Sequence, residues 1–140
     1  MKEWPEWNEI LNRYTEDVRT VEKTKKFTDG LLGMGRAPSE APCHEEMDRR
    51  TEELTGRAAA EADGESIGGL VNAIFRAAVD YQGPEYARIA LVAAQRHAMP
   101  LIGSMTETDR EALRAWYEKA YPRRRRFPIQ TEILRLLGGR

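Results

Sequence analysis

A single cysteine in 140 residues rules out an internal disulfide. Stability must therefore come from a packed core rather than from cross-links. Two histidines are few ligands for a metal centre, although carboxylates can join them. No stretch of about 18 residues is both apolar and uncharged, so no membrane-spanning helix is expected. The opening Lys2-Glu3-Trp4-Pro5-Glu6-Trp7 lacks the apolar core of a secretory signal. A cytoplasmic protein is the resulting expectation.

Strand patterning is missing too. Val, Ile, Thr and the aromatics never alternate over a useful length, and no fixed repeat suggests a solenoid. The chain has no Gly-rich phosphate loop followed by Lys-Ser/Thr, no His-Glu-x-x-His and no Cys-x-x-Cys. Its acids and bases fall on faces that read as solvated rather than in one pocket, so neither an enzyme nor a cofactor is expected.

What is present is helical period. The length suits one domain over residues 1–140, large enough to bury most of its surface. Residues 67–105 carry only Arg76, Asp80, Glu85, Arg88 and Arg96 as charged side chains. Their apolar residues recur at three and four on both sides of Gln82-Gly83-Pro84. This predicts a central helical hairpin, about 67–81 and 84–99, in an all-α bundle of five to six helices. Ser66 is the expected cap of the first arm. Pro84 suits the first position of the second, and Pro100 its stop. Gly69, Ala73 and Ala77 in one arm, and Ala90, Ala94 and Ala98 in the other, form rows that would let two backbones approach closely.

Helices are expected around this hairpin. Trp4, Trp7, Leu11, Tyr14, Val18 and Val21 follow a heptad rhythm from near Pro5. That stripe either packs on its own chain, giving a monomer, or forms a homodimer seam. A loop follows over about 30–43, with Leu31, Leu32 and Met34 apolar enough to be pinned to the body. An acidic helix over about 44–63 has a thin stripe of Met47, Thr51, Leu54, Ala58 and Ala62. Thr106 to Asp109 resembles a capping box opening a helix to about Tyr121. A last helix over about 128–137 closes the bundle.

The net charge of −1 conceals a separation. Residues 37–66 hold nine acidic and three basic side chains, and residues 106–140 hold nine basic and five acidic. The acidic helix is either a solvated face or a docking face for a basic partner. The basic excess is concentrated in Arg123, Arg124, Arg125 and Arg126, set between Pro122 and Phe127-Pro128. The prolines and mutual repulsion predict an extended segment. These four arginines are the candidate binding residues. They either pair with the acidic helix as an internal strut or bind nucleic acid or phosphate, for which planar guanidiniums are suited. Cys43 and His44, at the start of the acidic helix, are the only candidates for thiol or metal chemistry. The plainer alternative is a small buried Cys43 beside a capping or surface His44. His97, in an apolar helix, reads as a hydrogen-bonded core residue. The leading expectation is a small adaptor or regulatory protein acting through protein contacts.

Overall fold

The computed structural model describes residues 2–30 and 41–138. Among them are six α-helices and no strand: α1 (Pro5–Gly30), α2 (Ala41–Glu61), α3 (Gly64–Asp80), α4 (Glu85–Ala94), α5 (Glu107–Ala120) and α6 (Pro128–Leu137). Short 3-10 turns lie at Gln95–His97, Met99–Ser104 and Arg123–Arg125. The all-α bundle expected from the periodicity is present. Most of the loop expected at 30–43, including Leu31, Leu32 and Met34, lies outside the described residues. Its far end is corrected, because Cys43 already belongs to the first turn of α2.

Helix α3 is the centre. Its N-cap is Asp63 rather than Ser66: the Asp63 carboxylate accepts from the Ser66 backbone N–H at 2.8 Å. That bond also holds the carboxyl below its ordinary value. Ile67, Leu70, Val71, Ile74, Phe75 and Ala78 are all buried, each of the larger ones contributing about 1.5–3 kcal/mol by burial. So wide a stripe suits a helix packed on several sides, and α1, α2, α4 and α5 all touch α3.

The second arm of the hairpin is shorter than its sequence suggests. Pro84 is the N-cap and α4 stops at Ala94, not at Met99. A proline ring opposes the carbonyl four residues back, so Pro100 disfavours α-helix before it. The chain tightens into 3-10 turns instead. The Gln95 side chain donates to the Val92 carbonyl at 3.1 Å, and the Arg96 guanidinium to the Ala93 carbonyl at 3.1 Å. The Gln95 backbone N–H reaches the same two carbonyls, so the end of α4 is held by backbone and side chains together.

The small-residue rows do not meet as expected. A Cβ added at Gly69 would stand 2.0 Å from the backbone oxygen of Lys2, so this position receives the N-terminal segment. Ala73 and Ala77 border a shallow groove against Trp7, Leu11 and Thr15 of α1. The row on α3 therefore faces α1. Ala87, Leu91 and Ala94 of α4, with Ala98 beyond it, are buried in the core.

The stripe on α1 is spent largely on its own chain. Trp7, Ile10, Tyr14 and Val18 are buried, while Trp4 and Leu11 are half-buried. Ile10 joins the stripe because a 3.6-residue turn widens a strict heptad seam. Trp4 donates its indole N–H to the Ser66 carbonyl at 2.6 Å. Helix α2 buries Met47, Thr51, Leu54, Thr55 and Ala58, with the two threonine hydroxyls turned back onto the Met47 and Thr51 carbonyls. Helix α5 is capped by Thr106, whose hydroxyl accepts from the Asp109 N–H at 3.2 Å. It buries Leu113 and Tyr117, and α6 buries Gln130, Ile133 and Leu137.

Candidate functional site

The arginine segment joins α5 to α6. Pro122 ends α5, and the chain then makes one 3-10 turn closed by Arg125 N–H to the Pro122 carbonyl at 2.8 Å. This corrects the expected extension. A proline locked near −60° starts such a turn readily, and three residues per turn splay three successive guanidiniums around the axis. Repulsion is relieved by splay rather than by stretching. Only Arg126 and Phe127 are extended, with Phe127 held there by the following Pro128.

The base of this turn is tied at both ends. Arg126 is half-buried and donates from Nε to the Tyr121 carbonyl at 2.8 Å. The Phe127 N–H donates to Oε1 of the buried Gln130 at 2.7 Å. Behind it runs an aromatic ladder into the core. Tyr121 packs on Tyr117 at 4.8 Å between centroids, and Tyr117 on Phe75 at 5.7 Å, the rings tilted by 47° and 50°. Burial raises the Tyr121 phenol above its ordinary pKa, with Arg88 opposing the shift.

Arg123, Arg124 and Arg125 are exposed and have no carboxylate partner among the described residues. The expected pairing with the acidic helix is not found there. Topology explains the miss: α2 packs chiefly on α1, α4 and α3, whereas the arginine turn caps the pair α5 and α6. The charged residues of the acidic helix have other partners. Arg49 pairs with Glu53 inside it, Arg57 reaches Glu6 of α1, and Arg96 and His97 both reach Asp48. Beside the arginines, Phe127 leaves 71% of its surface exposed. The sequence reading missed that exposure; an aromatic between Arg126 and Pro128, outside any helical stripe, was the available signal.

Cys43 and His44 both lie in the first turn of α2. Cys43 is half-buried against the core. His44 Nδ1 and the Tyr14 hydroxyl share a hydrogen bond of 2.6 Å. The imidazole packs between Tyr14 and Tyr86, at 5.6 and 5.8 Å between centroids. Tyr86 in turn donates to Glu22 and carries Lys25 Nζ 4.8 Å from its ring centre. This cluster ties α1, α2 and α4 together, which is a packing role. Neither Cys43 nor His44 belongs to the grouping of metal-ligating side chains formed among the described residues. His97 is hydrogen-bonded, as expected, with Asp48 as its partner at 3.0 Å.

The chain matches no known family, curated protein or solved structure. Function must therefore be argued from the arginine turn and its surroundings. Among the described residues, no helix is long and apolar enough to cross a membrane.

Proposed function

We propose that this protein is a non-enzymatic cytoplasmic adaptor that binds an acidic segment of a partner protein through Arg123, Arg124 and Arg125, with Phe127 as the apolar anchor. The observation that carries this reading is the combination of exposed guanidiniums without carboxylate partners and an exposed Phe127, on a turn tied down at Arg126 and at the Phe127 N–H. Arginine and aromatic side chains are enriched in the energetic centres of protein interfaces. A base fixed by hydrogen bonds lowers the ordering cost of binding. The heptad stripe is largely buried within the chain, so the working unit is taken as a monomer.

Nucleic acid is the second reading, favoured by the same unpaired guanidiniums. Against it stand the acidic excess elsewhere in the chain and a single exposed aromatic, where single-strand binders use several. Fluorescence anisotropy with two probes of equal charge, a Glu-rich peptide with one aromatic residue and a single-stranded oligonucleotide, separates the readings. The adaptor reading expects peptide binding that is lost in the variant carrying Arg123→Gln, Arg124→Gln and Arg125→Gln, and weakened in Phe127→Ala. Preferential oligonucleotide binding, steeply salt-dependent and indifferent to Phe127, would favour the second. Catalytic turnover abolished by Cys43→Ala would defeat both.

A further inference from the structure

Asp48 and Glu52 stand four residues apart on α2, so they share one helix face. Packing of α2 on α4 brings that face to the turn after α4, where His97 sits. One ligand atom from each of Asp48, Glu52 and His97 lies within 4.8 Å of the others. His97 Nε2 is 3.0 Å from Asp48 Oδ1. The imidazole side chain is 12% exposed and the Asp48 side chain 31%, while Glu52 is open to solvent.

Ligands of a tetrahedral zinc ion, bonded at about 2.0–2.1 Å, stand roughly 3.3 Å apart. An ion would replace the Asp48–His97 hydrogen bond, whose 3.0 Å span is close to that separation, and the exposed Glu52 has a ligand atom within 4.8 Å of both. A second feature points the same way. Arg96 Nη2 donates to the other Asp48 oxygen, Oδ2, at 2.9 Å. That bond leaves Oδ1 turned toward His97, and ligating carboxylates are commonly steadied in this manner by an outer hydrogen bond. The donor set is one imidazole nitrogen and two carboxylate oxygens. It is too poor in oxygen for Ca²⁺, which takes six to eight, and an imidazole suits zinc and its neighbours.

We propose that Asp48, Glu52 and His97 bind one divalent transition ion of the Zn²⁺ class, with the fourth position open to water. Bound there, the ion clips α2 to the turn that follows α4 and stabilises their packing. The site is distinct from the arginine turn, and neither Cys43 nor His44, one turn before Asp48 on α2, belongs to the grouping.

Titration of the metal-free full chain with Co²⁺ as a visible probe, followed by Zn²⁺ competition, tests this. The expected result is one Co²⁺ per chain, displaced by Zn²⁺, with absorption bands lost in Glu52→Gln and in His97→Gln. Arg96→Gln should weaken binding by about tenfold, and the double variant Cys43→Ala/His44→Gln should bind as the parent does. Glu52 is exposed, so Glu52→Gln stays folded and its result is not confounded by unfolding. Binding unchanged in Glu52→Gln or His97→Gln, bands that vanish with Cys43→Ala, or no uptake at millimolar Co²⁺ or Zn²⁺ would each overturn the proposal.

Discussion

Tyr117 carries a hydroxyl into the core, close to the Gln95 side chain but outside hydrogen-bond geometry. Its oxygen and Oε1 of the nearby buried Gln95 are both without hydrogen-bond partners among the described residues. Burial pushes the phenol well above its ordinary pKa, Tyr121 adds to the shift, and Gln95 opposes it. A raised folded pKa leaves stability intact below the unfolded phenol value of about 10 and erodes it as pH rises beyond. Tyr117→Phe should therefore leave stability at pH 7 unchanged or raise it by up to about 1 kcal/mol. It should also flatten the loss of stability at alkaline pH. Urea unfolding at pH 7 and pH 10.5 checks both; a variant clearly weaker at pH 7 would show that the hydroxyl is held after all. At this scale the sequence was legible where the partner is local. Thr106 as the cap of α5 could be read three residues ahead of Asp109. The bonds from His44 to Tyr14 and from His97 to Asp48 could not, because they join residues 30 and 49 positions apart.

Elements were legible wherever one apolar face dominates. Helix α2 follows its expected stripe, and α5 and α6 form over their expected ranges, since burying an apolar face outweighs weak local preferences. Leu54 sits in the buried stripe of α2, while Glu53 beside it is exposed and pairs with Arg49 at 2.7 Å. Leu54→Ala should cost about 2–5 kcal/mol through lost burial and the cavity left. Glu53→Ala should cost no more than about 0.5 kcal/mol, the usual worth of an exposed i,i+4 pair. Thermal or urea unfolding of the two variants side by side measures the contrast, and similar losses would mean that α2 docks by another face. The illegible parts are ends and neighbours. Helix α4 stops five residues early, a choice that depends on Pro100 downstream. The rows of small residues showed that backbones approach α3, but not which ones. Gly69 meets Lys2 rather than α4 because tertiary packing, not spacing, selects the neighbour.

For the whole molecule, class and core were written in the periodicity, whereas charge placement was not. The acidic and basic excesses are separate in sequence and stay separate in space, because α2 and the α5–α6 pair are not chief packing partners. Coulomb attraction between exposed groups is too weak to dictate a bundle's topology. The arginines are left facing water on a turn fixed at its base, and that outward presentation is what the functional reading rests on. Urea unfolding of the variant with Arg123→Gln, Arg124→Gln and Arg125→Gln tests it most directly. An outward-facing surface predicts a free energy of unfolding within about 0.5 kcal/mol of the parent, or slightly higher as self-repulsion falls. A loss of about 2 kcal/mol or more would mean that these arginines brace the fold and are not presented to a partner.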